Sequence, residues 1–376
     1  MTTQSKVLLA LSIDAVGVGR LPEVLAEAGC EVTVISGAGL AVTNSRFVSH
    51  HIWTGYTPHE VRRGLEEHLS GNPNKYARVI LGDEPLLDTV LHPADTATVA
   101  TNVPLPAEPE VLRRVISKIS FSEDAERFGI SAPGFRTLLN QDDLARVAWS
   151  GQPFVLKAAV SLSGSGVRII RNAAELAYAK EVWNGPYILQ DFVQGKLAAT
   201  AILYDRGVPT CWFTYLMCRN WPNAQASSSA LQPHWHPEIE SGVVKLGEMT
   251  GFDGLCGVDW VIDEVSGRPY MLEMNARPIP GMRFAQFSGV SFPKAIADWI
   301  SGRRNVQKPN ESTSRLYRMF PQNLFRAIDD HDPVEFVRTF ADAPWKDPKL
   351  LLAQGRRVAS HYLPESLRAR FRRRRS

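Results

Sequence analysis

The feature that constrains the fold most is a pair of apolar segments joined by a short turn. The segments read LCGVDWVID and PYMLEMNA, and the turn between them is formed around DEVSG. Turn residues between two apolar runs predict a β-hairpin. Asp259 lies on the first strand; Glu273 and Asn275 lie on the second, where their i, i+2 spacing places both side chains on one face. The hairpin therefore carries three oxygen-bearing side chains in an apolar setting.

Carboxylates in so apolar a setting are costly unless something compensates their charge. Hard oxygen ligands from Asp, Glu and Asn suit magnesium held between a protein and phosphates. Arg277 follows Asn275 by two residues and can hold a phosphate or a carboxylate bidentately. A salt-bridged pair of strand ends is the alternative interpretation. We favour a Mg²⁺ (or Mn²⁺) site made by Asp259, Glu273 and Asn275.

A glycine- and serine-rich loop follows an earlier predicted strand. The strand PFVLKAA carries Lys157, and the loop SLSGSG runs from Ser161 to Gly166. Small residues let backbone N–H groups approach a phosphate, and a nearby lysine neutralises its charge. The lysine precedes the glycines and no GK[ST] sequence follows, so this is not a Walker A loop. An ordinary hairpin loop is the alternative.

Another apolar segment, YILQDFV, becomes polar towards its end. Gln190 and Asp191 stand there, and Val193 and Gly195 come shortly after. Such a strand can present backbone and side-chain groups to the edge of an adenine ring. An edge strand that happens to end in polar residues is the alternative interpretation.

The order of these motifs resembles that of the ATP-grasp superfamily. The resemblance covers about residues 115–300 and runs through Lys118, GISAPGF, FVLKAAVSLSGSGV, YILQDFVQG, GVDWVID and YMLEMNARP. It implies that ATP lies between two α+β lobes. It also implies a set of residues for each part of Mg·ATP: Lys118 and Lys157 at the phosphates, Ser163, Gly164, Ser165 and Gly166 in a loop over them, Gln190, Asp191 and Val193 at the adenine, and Asp259, Glu273 and Asn275 at the metal.

One departure concerns the ribose. The family usually has an acidic residue shortly after the hinge glycine, whereas this chain reads Gly195-Lys196-Leu197-Ala198. Ribose contacts must therefore come from elsewhere, with Asp191 or Lys196 as candidates.

The chain is expected to combine α/β and α+β parts in an ATP-grasp fold. KVLLALS, LPEVLAEAG and EVTVIS read as strand, helix and strand, and EVRRGLEEHL and ARVILGDE repeat the pattern, which predicts a parallel α/β domain. The expected division is a parallel α/β domain at 1–105, a small lobe with a helical lead-in at 106–190, a large lobe with the metal site at 191–300, and a helical extension with an Arg-rich tail at 301–376.

The positive net charge of +3 comes from one end of the chain. Six arginines lie in the last nine residues, and without them 36 basic residues face 39 acidic ones. These arginines are Arg368, Arg370, Arg372, Arg373, Arg374 and Arg375. The charge therefore predicts a solvated tail, with anionic lipid or RNA as alternatives, and no sequence-specific nucleic-acid surface. The four cysteines are scattered, which predicts reduced thiols. The sequence also shows no apolar run long enough for a transmembrane segment and no signal peptide. Together these features predict a cytoplasmic protein.

The expected activity is that of an ATP-dependent carboxylate–amine ligase. A small carboxylate would attack the γ-phosphate of ATP, and an amine would then displace phosphate from the acylphosphate. Arg277 is the first candidate for stabilising the oxyanion. Arg219, beside Trp221, is the second, although a solvent-facing arginine is an equal interpretation. We expect small-molecule carboxylate and amine substrates. The sequence leaves a homodimer open as the oligomeric state.

Three other functions compete with that of a ligase. A non-catalytic ATP-binding regulatory module is disfavoured by the intact trio of metal-site residues. An ATP-dependent carboxylase or kinase on the same scaffold stays open. An NAD-dependent oxidoreductase is disfavoured because Gly17-Val18-Gly19 lacks the third glycine of the fingerprint, whose place Pro22 takes.

Overall fold

Three β-sheets, two of four strands and one of six, organise the described part of the chain. The computed structural model describes residues 4–14, 16–37, 39–92, 103–159, 166–182, 185–223, 226–309 and 312–363. Among these residues, no helix combines the length and the apolarity that crossing a bilayer requires. The division of the chain at residues 105, 190 and 300 stays a prediction.

The first sheet is parallel, with strand order β3-β2-β1-β4. Its elements are β1 Ser5–Leu11, α1 Leu21–Glu27, β2 Cys30–Ser36, β3 His50–Trp53, α2 Pro58–Gly71, β4 Arg78–Leu81 and α3 Glu84–Leu91. The predicted alternation of strands and helices is confirmed. Strands β1 and β2 are buried along most of their length, as expected of a parallel sheet, which takes helices on its faces.

The end of β4 differs from the expectation. The sequence predicts that Asp83 and Glu84 end the strand, whereas β4 ends at Leu81 and Asp83 caps α3. The Asp83 carboxylate accepts hydrogen bonds from Leu86 N (2.9 Å), Ser12 Oγ (2.7 Å) and Ser12 N. Because Asp83 is almost fully buried, these bonds fix Glu84 at the carboxyl ends of β1 and β4.

The second sheet is antiparallel, with strand order β5-β8-β6-β7. Its strands and the helices around them are α4 Pro109–Ile116, α5 Lys118–Arg127, β5 Phe135–Leu138, α6 Gln141–Ala145, β6 Phe154–Ala158, β7 Val167–Ile170, α7 Ala173–Val182 and β8 Tyr187–Asp191. Phe154 and Leu156 join the core under α6 and α7. Val155 and Lys157 therefore face the other way, into a cleft against the six-stranded sheet.

The six-stranded sheet has the order β13-β12-β9-β10-β11-β14 with antiparallel neighbours. Its elements and the helices beside it are β9 Gly195–Asp205, β10 Val208–Asn220, β11 Ser228–Pro233, α8 Pro237–Thr250, β12 Gly254–Asp263, β13 Pro269–Asn275, a 3₁₀ helix Pro280–Ser288 and α9 Phe292–Ile300. The hairpin predicted from the apolar segments is β12–β13. Gly251, in the left-handed conformation, ends α8.

The C-terminal part is mostly helical, as expected, but it also contributes an edge strand. It comprises β14 Tyr317–Arg318, α10 Gln322–Asp329, α11 Pro333–Thr339 and α12 Pro348–Tyr362. Strand β14 pairs with β11 and so attaches this part to the six-stranded sheet. The predicted Arg-rich tail lies outside the described residues.

Candidate active site

The β12–β13 hairpin brings the three predicted metal ligands together. Asp259 stands directly opposite Glu273 in the strand register, and Gly257 stands opposite Asn275. Asn275 Nδ2 donates a hydrogen bond to Asp259 Oδ2 at 3.4 Å. The amide oxygen of Asn275 takes no part in this hydrogen bond. Two carboxylates and an amide thus converge on one face of the hairpin.

The electrostatics of this group favour a cation. Burial, and then the charge of Glu273 across the hairpin, raise the pKa of Asp259 because two neighbouring carboxylates resist being ionised together. The described residues contain no cluster of three or more His, Cys, Asp or Glu side chains that could hold a metal ion. The group on this hairpin differs from such a cluster because its third member is the amide of Asn275. The donor set of two carboxylates and an amide oxygen is one that magnesium accepts when phosphate oxygens and water complete its shell. The residues therefore fit the expected ion.

Two lysines stand beside these carboxylates. Lys118 Nζ lies 3.6 Å from Glu273 Oε2. Lys157 is only 7 % exposed, and this burial lowers its pKa to about 8, although the charge of Glu273 opposes the change. The backbone N–H of Lys118 donates to the carbonyl of Ala159 at 2.9 Å, so the start of α5 is tied to the end of β6. Both predicted phosphate-binding lysines are thus held at one place.

A narrow cavity of about 180 Å³ runs from this charged group between the two antiparallel sheets. Its walls include Val155, Ile169 and Leu272, and Gln190, Asp191 and Val193 also line it. Gln190 is 2 % exposed, whereas Asp191 is exposed. Apolar walls with a few polar groups at one edge suit a flat heteroaromatic base.

The described end of the predicted phosphate loop lies beside Lys157. Ser163, Gly164 and Ser165 lie outside the described residues. Gly166 is described, and its carbonyl accepts a hydrogen bond from Ala158 N at 2.9 Å. Gly166, just before β7, is therefore held next to the strand that carries the buried lysine.

A larger cavity of about 710 Å³ adjoins the narrow one. The two cavities share Met217, Asp259 and Glu273. Arg277 lines the larger one, with its Nε 3.2 Å from Oε1 of Glu84 on α3. The shared carboxylates thus stand where a nucleotide in one cavity would meet a second molecule in the other.

Several residues that line the larger cavity were not among the predicted site residues. They are His59, Glu84, Tyr215, Ser227 and Ser228. Glu84 had a usable signal, because it follows a strand of a predicted parallel sheet, and ligands of such sheets bind outside the carboxyl ends of the strands. The other four carry no local pattern, since only the packing of distant segments brings them to the cavity.

Arg219 occupies a different position from the other predicted residues. Its Nη1 lies 2.7 Å from Oε2 of Glu335 on α11, and Arg219 is not among the described residues that line either cavity. Two residues further on, Trp221 stacks on Phe325 with ring centroids 4.4 Å apart, and its Nε1 donates to Asp329 at 2.6 Å. Residues of the C-terminal part thus contact the end of β10 and hold it in place.

Of the two residues considered for the ribose, Asp191 lines the narrow cavity. Its backbone N–H donates to the carbonyl of Gly134 at 2.8 Å. Lys196 is not among the described lining residues of that cavity. Asp191 is therefore the better placed of the two.

Comparisons with known proteins agree with this architecture. A family model described as an ATP-grasp domain matches residues 116–280. A search of curated protein sequences gave no significant match. Among solved structures, N5-carboxyaminoimidazole synthetase from Staphylococcus aureus is 12% identical, with a TM-score of 0.62 over 87% of this chain and 86% of that one.

Two further solved structures have the same fold. The biotin carboxylase domain of 2-oxoglutarate carboxylase from Hydrogenobacter thermophilus, in complex with MgADP, ADP and bicarbonate, is 18% identical over 83% of this chain and 73% of that one, with a TM-score of 0.63. L-amino acid ligase from Bacillus licheniformis is 17% identical over 80% and 75%, with a TM-score of 0.57. The bound MgADP agrees with the nucleotide and cation expected from the sequence. Residues 116–280 are thus an ATP-grasp domain, and the chain has the ATP-grasp fold.

Proposed function

We propose that the protein uses ATP and magnesium to convert a small carboxylate into an acylphosphate and then joins it to an amine. The observation that carries this proposal is the sharing of Asp259 and Glu273 by two cavities. A nucleotide in the narrow cavity and an acid in the larger one meet at these carboxylates. Catalysis of phosphoryl transfer consists mainly of such placement and of charge stabilisation.

Each predicted residue has a task in this proposal. Gln190, Asp191 and Val193 hold the adenine in the narrow cavity, and Lys118 and Lys157 bind the phosphates. The loop containing Ser163, Gly164, Ser165 and Gly166 covers the phosphates. Asp259, Glu273 and Asn275 would hold Mg²⁺ or Mn²⁺, which when bound offsets charge on the phosphate oxygens.

The acid is activated where the two cavities meet. An oxygen of its carboxylate forms a bond to the γ-phosphorus, the bond from that phosphorus to the bridging oxygen breaks, and ADP leaves with the electrons. Arg277 lines this cavity and can donate a hydrogen bond to the acid or to the acylphosphate. Arg219 supports this chemistry indirectly, by holding β10 through Glu335.

The same first step with bicarbonate as the acid would make the protein a carboxylase. Two of the structural neighbours favour this second candidate, because their names describe carboxylation. The larger cavity favours the ligase, since about 710 Å³ with both apolar and polar walls exceeds what bicarbonate fills. An amide product is therefore the expected outcome, and a carboxylated product is the alternative.

Trapping with hydroxylamine tests the proposal. Purified protein with Mg·ATP, hydroxylamine and one candidate acid at a time should release ADP and phosphate and form a hydroxamate. The panel contains common amino acids, small organic acids and bicarbonate. We expect Glu273→Gln to abolish hydroxamate formation, because the exchange removes a charged oxygen ligand.

The matched control is Glu264→Gln, an exposed acid on the turn of the same hairpin, which should retain the wild-type rate. Retained turnover in Glu273→Gln would contradict the site assignment. Absence of any hydroxamate from wild-type protein would contradict acylphosphate chemistry.

A further inference from the structure

We infer that Glu84 binds the ammonium group of the amine substrate and accepts its proton. This inference deepens the proposed function and depends on it. Glu84 is the first residue of α3 and is fixed by the buried cap Asp83. Its side chain is 20 % exposed and lines the larger cavity that also contains Asp259, Glu273 and Arg277. A partly buried carboxylate thus faces the place where the second substrate must approach.

The charges around the larger cavity single out Glu84. Asp259 and Glu273 are assigned to the metal, and Lys118 lies against Glu273. The remaining acid of the lining, Asp88, has a half-exposed side chain beside His92 at 3.1 Å. Among the described lining residues, Glu84 is therefore the enclosed carboxylate that the metal site does not use.

The pairing of Glu84 with Arg277 indicates what this part of the cavity recognises. Arg277 Nε and Glu84 Oε1 are 3.2 Å apart, and both side chains are about one-fifth exposed. A guanidinium and a carboxylate side by side are complementary to a molecule that carries one carboxylate and one ammonium group. The chemical class that fits is an amino acid. Its carboxylate takes the place of Glu84 on Arg277, and its ammonium group takes the place of Arg277 on Glu84.

The proton balance gives Glu84 a chemical task. An ammonium nitrogen has no free electron pair and cannot attack a carbonyl until it loses a proton. Glu84 accepts that proton, and the freed pair forms a bond to the carbonyl carbon of the acylphosphate. The bond from that carbon to the phosphate oxygen breaks, and phosphate leaves with the electrons and with a second proton from nitrogen. General-base assistance of this kind contributes about 100-fold or more to a rate.

Hydroxylamine separates this role from the activation of the acid. It is largely neutral at neutral pH, so it can attack without first losing a proton to a carboxylate, and its one surplus proton leaves with phosphate. We expect Glu84→Gln to form hydroxamate close to the wild-type rate and to lose amide formation with amino acids by about 100-fold. Glu84→Asp, which keeps the charge, should recover part of the loss. Glu67→Gln, an exposed acid on α2, is the matched control and should retain both activities.

Each other outcome overturns the inference. Equal loss of hydroxamate and amide in Glu84→Gln would mean that Glu84 only holds Arg277 in place. Unchanged amide formation would mean that the amine binds elsewhere. A wild-type protein that forms no hydroxamate with any acid would reject the proposed function and this inference with it. Stabilisation of Glu84→Gln by Mg·ATP in a thermal unfolding experiment verifies that the variant is folded.

Discussion

Gly195 shows how closely strands β9 and β12 are packed. It begins β9 and stands opposite Asp263 of β12. A Cβ atom at this position would overlap the carbonyl oxygen of Ile262 and lie 2.7 Å from its carbonyl carbon. Backbone atoms of a paired strand cannot move aside as a flexible side chain can. The hinge glycine is therefore required by a close approach of two strands.

Gly195→Ala is expected to destabilise the protein by about 1–3 kcal/mol, because overpacking must displace β9 or β12. ATP affinity should fall as well, since Asp191 and Val193 lie immediately before this strand. Urea unfolding and nucleotide titration measure the two effects. Gly355→Ala, at an exposed helical position where a Cβ atom meets nothing within 4 Å, is the control and should not lose stability. Equal stability of the two variants would contradict the packing argument.

At the residue scale, the sequence indicates the metal group but not the substrate pocket. Asp259, Glu273 and Asn275 were predictable because strand periodicity and hairpin pairing are local properties. Glu84 had only the signal of its place after a strand of the parallel sheet; its pairing with Arg277 could not be predicted, because it depends on how that sheet sits against the large one. Arg219 carried no signal for its pairing with Glu335, which lies more than a hundred residues away along the chain.

Helix α11 is held to the large sheet by a single buried acid. Glu335 has a side chain that is only 4 % exposed, and it accepts hydrogen bonds from Arg318 Nη2 (2.6 Å) and Nε (2.9 Å). Arg219 Nη1 adds an ion pair at 2.7 Å. The bonds from Arg318, followed by the charge of Arg219, lower the pKa of Glu335 from 4.5 to about 2. Strands β10 and β14 are thereby both connected to α11.

Replacing this acid should give a pH-dependent loss of stability. The folded pKa lies below the unfolded one, so the stabilisation is complete above about pH 4.5 and is lost as the pH falls towards about 2. Glu335→Gln should therefore cost about 3 kcal/mol at neutral pH, and its difference from wild type should shrink over that acid range. Urea unfolding at several pH values measures this. A difference that does not vary with pH would contradict the ion-pair account.

At the element scale, most of the fold was predictable where periodicity is strong. The βαβ opening, strands β6 and β8 and the β12–β13 hairpin were all expected. Strand β3 was missed because His50–Trp53 is short, mostly exposed and lacks alternation. Helix α3 was missed because Asp83 and Glu84 were taken as a strand end, although Asp followed by Glu and Pro is a helix-start signal. Strand β14 has only two residues and depends on its partner β11.

At the scale of the whole molecule, nucleotide binding should be visible as stabilisation. In the proposed site, Mg·ATP would contact both antiparallel sheets and so would bind only the folded chain. At 100 times the dissociation constant it should add about 2.7 kcal/mol to the free energy of unfolding. Thermal unfolding with ATP and magnesium, with ATP and EDTA, and without nucleotide measures this. The EDTA sample should lose most of the gain, because Asp259 and Glu273 repel phosphate without a cation. Equal shifts with and without magnesium would contradict the metal assignment.

The attachment of the C-terminal part to the end of β10 affects which shortened versions of this protein are expected to fold. Ala226, Ser227 and Ser228, which follow Trp221, form a wall of the larger cavity, and Phe325, Asp329 and Glu335 brace that region. A recombinant fragment trimmed to residues 116–280 would keep all three proposed metal ligands and lose both this bracing and the N-terminal sheet. We accordingly expect a stable fragment to be longer than the stretch matched by the family model, and recombinant versions should extend from β1 through α12.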